Sequence, residues 1–197
     1  MRAAPDHHVA TEDGFTLVEL LIYTMLLAIV LVIVGGFMFN SISSSNTIRT
    51  TSQASTEGQL IASSLQAGIE NATAVTGTDY PDGSALVMAR VATRGATLDW
   101  QCEAWYYSAA DKAVYTTTTH PAVAITLPTG GPKGSWSLLG DGIVPVTDGT
   151  GPLALHGTSY SASLDIDLPV TKSQPVHIEM TAYMRTDPSE LVSAPCF

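Results

Sequence analysis

The sequence predicts an α+β fold in which one long N-terminal helix packs against a mainly antiparallel β-sheet head. Residues Leu20–Phe39 form an apolar run without a charged side chain. Apolar residues then recur at near-helical spacing as far as Ala72. From Ala85 onward, apolar and polar residues alternate as they do in half-buried strands. The change of period places the helix first in the chain and the sheet after it.

The first half of the helix, residues 15–40, is predicted to span a membrane. Starting at Phe15, it reaches a length of about 37 Å by Phe39, against a hydrocarbon layer of about 30 Å. The apolar run is also longer than the roughly 7–15 apolar residues of a secretory signal. Residues 1–14 precede it as a short polar leader. A rival cleavage site at Ser41-Ile42-Ser43, which would release a soluble head, stays open.

The second half of the helix, residues 41–72, is predicted to be amphipathic. Its apolar positions are spaced so that they share one face, which we expect to lie against the sheet; they are Ile48, Leu60, Ile61, Leu65 and Ile69. The stretch Ser41–Ser55 is rich in serine and threonine, so a flexible linker is the alternative there.

Residues 73–197 are predicted to form a β-rich extracellular head. Strands are expected around residues 100–106, 162–168 and 176–184, with a hairpin over residues 105–117. Turn signals lie at residues 81–83, 128–131, 141–142 and 148–151. A single, mainly antiparallel sheet wrapped over the end of the helix is the expected arrangement.

The chain has two cysteines, Cys102 and Cys196, without the CxxC spacing or the histidine cluster typical of a zinc site. If the head lies outside the membrane, the even count predicts one disulfide between them. Two buried free thiols are the alternative.

Composition disfavours several function classes. With 8 basic and 18 acidic residues, the net charge of −10 opposes a charge-driven grip on nucleic acid. No phosphate-binding glycine loop, GxSxG motif or Cys/His nucleophile pair is present in the sequence, so we predict no enzyme and no cofactor. His120, His156 and His177 have no ligand at metal-binding spacing, and the pairs Asp141-Gly142 and Asp148-Gly149 lack the oxygen-rich pattern of a calcium loop. No metal site is therefore predicted, and calcium binding at these Asp-Gly loops stays an open alternative.

Several aromatic residues cluster in the central part of the head sequence. A stacking platform for single-stranded DNA is one interpretation and packing between strands is the favoured one; the residues are Trp100, Trp105, Tyr106, Tyr107 and Tyr115. DNA binding stays an open alternative.

Glu19 is an acid placed inside the apolar block, about one helical turn or 6 Å along the axis from Phe15. A carboxylate within an apolar helix is costly and usually has a partner. If the chain were cut before Phe15, a cationic amine would appear. In a bundle of such helices, the Glu19 carboxylate of one chain could neutralise the amine of the next, and the cost of breaking the pair would set the axial register.

The segment Gly14-Phe15-Thr16-Leu17-Val18-Glu19, followed by Leu20-Leu21, resembles the cleavage and methylation motif of type IV prepilins. The resemblance implies that a membrane prepilin peptidase cuts after Gly14 and methylates the amine of Phe15. It also implies that Glu19 guides the subunit into a growing filament.

The resemblance also bears on two glycines inside the helix and on the expected function of the chain. Gly36 lies where many family members carry a helix-breaking proline, and with Gly35 it is expected to let the helix bend or locally melt. The resemblance then implies a structural subunit, and we expect a minor pilin that primes assembly or caps the tip. Its expected partners are other pilin subunits, the peptidase, the assembly platform and, before assembly, membrane lipid.

The expected location is the plasma membrane for the precursor and a cell-surface filament for the assembled subunit. Two alternatives stay open. A secretion-system pseudopilin shares every feature named, and a permanently anchored module would use the head to bind DNA or a host surface.

Overall fold

A computed structural model describes residues 16–93, 99–128, 130–132, 134–146, 152–156, 161–170, 174–185 and 195–197. The predicted leader, residues 1–14, and the processing residues Gly14 and Phe15 lie outside the described residues, as does Asp148-Gly149. The chain divides into two units, residues 1–46 and residues 47–197, which are described separately below.

One helix, α1 (Leu17–Glu70), contains 54 residues and ends within two residues of the predicted boundary. The serine- and threonine-rich stretch lies inside α1, so the linker alternative is wrong. Hydroxyls of this stretch donate to carbonyls of the preceding turn, as Thr50 and Thr51 do to the carbonyl of Thr47 at 3.0 Å and 2.9 Å. The hydroxyl groups thus find hydrogen-bond acceptors within the helix itself, and the backbone keeps its helical conformation.

The described residues form nine strands in two antiparallel sheets. The first sheet has the order β1-β2-β3-β4-β5, and its strands are β1 (Ala72–Asp79), β2 (Ala85–Ala92), β3 (Trp100–Ser108), β4 (Ala113–Thr119) and β5 (Ser137–Gly140). In the second sheet β8 is central and pairs with the other three; the strands are β6 (Val144–Pro145), β7 (Leu153–His156), β8 (Ser161–Leu168) and β9 (Val176–Tyr183).

The predicted α+β fold is confirmed, and so is the predicted hairpin, which is the pair β3–β4. The head differs from the expectation in having two sheets instead of one. The second sheet is built partly from strands of two and four residues, β6 and β7, which are too short to show an alternating pattern.

The main core lies where the C-terminal part of α1, from Ala54 onward, packs against both sheets. Ile61, Leu65 and Ile69 are fully buried there, as predicted. They join apolar side chains of the first sheet, including Val87, Ala89 and Trp105, and of the second, including Leu164, Ile166 and Leu168. The indole N–H of Trp105 donates to the hydroxyl of Ser64 at 2.9 Å, which ties β3 to the helix. Ile48 and Leu60 were expected on the same face of α1 as the three buried residues, but they are 65 % and 49 % exposed, so the prediction is wrong for these two residues.

A smaller core lies on the other face of the first sheet and contains the disulfide. Cys102, Ala104 and Tyr106 of β3 pack there with Leu86, Ile125 and Cys196. The Cys102–Cys196 disulfide is present, with the two Cα atoms 5.4 Å apart, so the prediction is confirmed and the free-thiol alternative is wrong.

Candidate assembly site

The first half of α1 exposes its apolar side chains. Between Leu17 and Phe39, the large apolar side chains are 47–82 % exposed. The helix is long and apolar enough to cross a membrane, and none of the residues in its most apolar stretch is buried. A core helix of a soluble domain would bury such residues, so this segment is a candidate membrane span.

Thr16 caps the start of α1. Its hydroxyl oxygen accepts a hydrogen bond from the backbone N–H of Glu19 at 3.3 Å, and its carbonyl accepts one from the N–H of Leu20 at 3.2 Å. Threonine is a favoured N-cap residue, and a threonine followed three residues later by glutamate is a helix-start signature. With Thr16 as the cap, the helix begins at Leu17.

The Glu19 carboxylate lies in the first turn of α1, where the positive end of the helix dipole favours an acid. It is half-buried, and its Oε1 accepts a hydrogen bond from the Tyr23 hydroxyl at 3.2 Å. The next hydroxyl along, that of Thr24, donates to the carbonyl of Leu21 at 2.9 Å. Glu19 is therefore partnered within its own helix by a side chain one turn further on.

Gly35 and Gly36 lie within the helical span of α1, and a β-carbon added at either would meet nothing within 4 Å. No contact described in this chain requires glycine there. The bend predicted for them remains an expectation.

The aromatic group of the head is used mainly for packing. Trp105, Tyr106 and Tyr107 are only 1 %, 6 % and 2 % exposed, so their rings have no free face for a base. Trp100 is half-buried, and the guanidinium of Arg90 lies over its ring at 3.7 Å from the centroid. This geometry supports strand packing over a stacking platform.

Two histidines have carboxylate neighbours that the sequence spacing does not reveal. His120 Nε2 lies 3.0 Å from Asp99 Oδ2, and His177 Nδ1 lies 3.2 Å from Asp167 Oδ1. The second pair is explained by register, because Asp167 of β8 faces His177 of β9. These are pairs on the surface. Within the described ranges, no group of three or more His, Cys, Asp or Glu residues is arranged to hold a metal.

Sequence reasoning identified Glu19 but missed the residue that contacts it. Tyr23 was counted only as part of the apolar run. The signal was available, because residues four apart on a helix are neighbours on its surface.

Comparisons of this chain with protein-family models, with curated proteins and with solved structures return no match. Function is therefore inferred from the residues and their geometry.

Proposed function

We propose that this chain is the precursor of a type IV pilin-like subunit, a minor pilin of a pilus or related filament. A prepilin peptidase cleaves it between Gly14 and Phe15 and methylates the new amine of Phe15. The precursor is a single-pass protein of the plasma membrane, and the mature subunit enters a surface filament through α1. In this proposal the head primes assembly or caps the tip.

One observation carries the proposal: an exposed apolar helix that has a single carboxylate, Glu19, in its first turn. Lipid covers such a surface before assembly, and neighbouring α1 helices cover it in a filament. A simple anchor needs the apolar side chains but not the acid, which makes insertion harder. A carboxylate one turn from a newly made amine is useful when helices associate, because each acid then neutralises the amine of a neighbour.

The first experiment is mass analysis of the mature N-terminus in the native host. We expect a chain that starts at Phe15 and carries one added methyl group. A chain that still starts at Met1 would indicate a permanent anchor, and a chain that starts at Ser44 would indicate a secreted head. Replacing Gly14 with leucine should block cleavage, because the small residue before the cut is lost.

The second experiment measures entry into filaments sheared from the cell surface. Glu19→Ala should leave cleavage intact and lower incorporation by at least about tenfold, since removing one partner of a buried ion pair costs about 3–5 kcal/mol. Val18→Ala is the matched control, because it shortens a neighbouring side chain without removing a charge. Equal incorporation of Glu19→Ala and the unmodified chain would contradict the proposed pairing.

The abundance of the chain in those filaments separates a minor pilin from a major one. A minor pilin is present in far fewer copies than the main subunit. A chain that makes up most of the filament mass would show that it is the major pilin.

A further inference from the structure

Strand β1 stands at one edge of the first sheet, with β2 on its inner side. In an antiparallel pair, the backbone groups of alternate residues face the partner strand, and those of the residues between them face away. The N–H of Tyr80, directly after β1, donates to the carbonyl of Ser84 at 2.9 Å and so faces the β2 side. The register is regular back to Ala74, so the alternation can be followed along the strand. The residues that face outward are Val75, Gly77 and Asp79.

The outward-facing backbone groups of β1 are open. The three residues offer N–H donors and carbonyl acceptors at the regular spacing of a strand, about 7 Å from one residue to the next on the same edge. None of these groups has a hydrogen-bond partner among the residues that the structure describes. Gly77, Thr78 and Asp79 are exposed, so solvent reaches this part of the edge. Such a row of groups is complementary to the backbone of another extended chain.

The edge of β1 also lacks the charges that usually protect an edge strand. Natural sheets place charged side chains on their edges to prevent pairing with other chains. Strand β9, an edge of the second sheet, has the exposed side chains of His177 and Glu179. In β1 the one charged side chain is that of Asp79, at the last position, and the other residues are small or β-branched. Most of the edge is therefore unprotected.

A groove of about 280 Å³ follows β1 and is lined by every residue from Val75 to Asp79, together with Leu153 and Leu155 of β7. A β-carbon built on Gly77 would lie 2.8 Å from Cβ of Leu155, so the leucine stands over this face of the strand. Side chains of a neighbouring strand lie about 5 Å from those directly opposite on the same face. Every second side chain of a strand added beside β1 would therefore come close to Leu155.

We propose that the edge of β1 is a binding site for an extended segment of another protein, which adds a strand to the first sheet. The segment pairs its backbone with the outward groups of Val75, Gly77 and Asp79, and its alternate apolar side chains occupy the groove beside Leu155. The Asp79 carboxylate favours a basic residue at that end of the segment. The inference concerns the head and goes beyond the proposed function, since it depends on neither cleavage nor entry into filaments.

A second copy of β1 fits this edge less well. Its side chains are those of alanine, threonine, glycine, one valine and one aspartate, which offer little apolar area to the groove. It would also bring another acid to a chain whose net charge is already −10. A segment with larger apolar side chains and a cation meets both requirements of the site.

Hydrogen exchange on the full chain in detergent tests the site. The probe is a capped synthetic peptide of ten residues, in which valine and threonine alternate and one residue near an end is lysine. In the free chain the amides of Val75, Gly77 and Asp79 should exchange rapidly, because they face solvent. Saturating peptide should slow them at least about tenfold, through the new backbone hydrogen bonds. The amides of Thr76 and Thr78, which face β2, should exchange slowly with and without peptide.

Substitutions at Asp79 separate the backbone contact from the charge. Asp79→Pro removes one outward N–H and places a ring across the edge, and proline is tolerated where the missing N–H would face solvent. Asp79→Ala is the matched control, since it removes the same charge and keeps the N–H. Peptide affinity, measured by the protection of Val75 and Gly77, should be at least about tenfold weaker in Asp79→Pro than in Asp79→Ala. Asp79→Lys leaves the backbone intact and should weaken binding roughly threefold through repulsion of the lysine.

Three results would overturn the inference. If millimolar peptide protects none of the three outward amides, the edge does not accept a strand. If Asp79→Pro and Asp79→Ala bind the peptide equally, the peptide binds elsewhere. If protection rises with protein concentration in the absence of peptide, a second copy of the chain occupies the edge.

Discussion

The two halves of α1 differ in what surrounds them, although they belong to one helix. From Leu17 to Phe39 the large apolar side chains are exposed. From Ala54 to Ile69 one face of the helix, which includes Ile61, Leu65 and Ile69, is buried against the sheets of the head, and the remaining face is mostly polar, with Leu60 exposed. The second half is therefore stabilised by packing within its own chain. The first half has an apolar surface whose exposure to water is unfavourable.

Glycines make the comparison sharper. A β-carbon at Gly35 or Gly36 would touch nothing within 4 Å, but one at Gly58 would lie 2.6 Å from Cγ1 of Ile178. One at Gly68 would overlap the ring of Trp105. In the second half glycine is required by packing within the chain. In the first half any requirement for glycine comes from bending or from a neighbour.

The largest expected effect concerns the head alone. Replacing Cys102 and Cys196 together by alanine opens a loop that spans a sequence separation of 94. Unfolding free energy should fall by as much as about 4–5 kcal/mol on the chain-entropy estimate. Thermal unfolding of the full chain in detergent, followed through tryptophan fluorescence, measures the change. Unchanged stability would show that the two cores hold the head without the crosslink, and membrane insertion should be the same in both chains.

The next prediction compares a glycine substitution in each half of α1. Gly68→Ala should destabilise the head by about 3 kcal/mol, because the added methyl group displaces Trp105 from its packed position. Gly35→Ala is the matched control and should leave head unfolding unchanged while favouring the helix by up to about 1 kcal/mol. Equal effects on head unfolding would contradict the contrast between the halves. A loss of filaments with Gly35→Ala alone would measure the need for bending.

A smaller effect tests the bond that ties β3 to the helix. Ser64→Ala leaves the buried indole N–H of Trp105 without its partner and should cost about 1–3 kcal/mol. Ser63→Ala is the control, because that hydroxyl is exposed and bonds only to the carbonyl of Leu60. Denaturant unfolding of the two variants should separate them, and similar midpoints would mean that the Trp105 bond adds little.

The smallest effect depends on pH and lies at the end of α1. A hydrogen bond from Gln66 and the positive charge of Arg185 lower the pKa of Glu70 below its ordinary value of 4.5. A carboxyl with a lowered folded-state pKa contributes stability at neutral pH and loses it as the pH falls through that value. Glu70→Gln should therefore lower the melting temperature slightly at neutral pH, and the difference should vanish in strong acid. A difference that persists in acid would point to packing instead.

Much of the fold is predictable because its signals are local. The helix follows from an uninterrupted apolar run and its amphipathic continuation, and β8 and β9 follow from clear alternation. Strand β1 was missed because Ala72–Asp79 is made mostly of small residues, with Gly77 among them, and directly follows the helix. It becomes a strand because β2 supplies its hydrogen-bonding partner, which is information that lies outside the segment.

The candidate site divides in the same way. Glu19 is conspicuous because it is an acid in an apolar run, and the disulfide follows from there being two cysteines. The pairs His120–Asp99 and His177–Asp167 depend on how distant segments align, so the residues alone did not indicate them. The contact between Tyr23 and Glu19 could have been predicted from their spacing of four residues, but Tyr23 lies within the apolar run and its hydroxyl was not considered separately.

The crosslink between β3 and Cys196 imposes an order of events during synthesis. Cys102 emerges while the second sheet does not yet exist, and its partner follows only after a further 94 positions. If the head is delivered to an oxidising compartment, the Cys102 thiolate can during that interval attack another disulfide there and form a mixed disulfide, releasing the other sulfur as a thiol. The native bond can therefore form only after the segment between Cys102 and Cys196 has been synthesised and both cysteines have reached the same compartment.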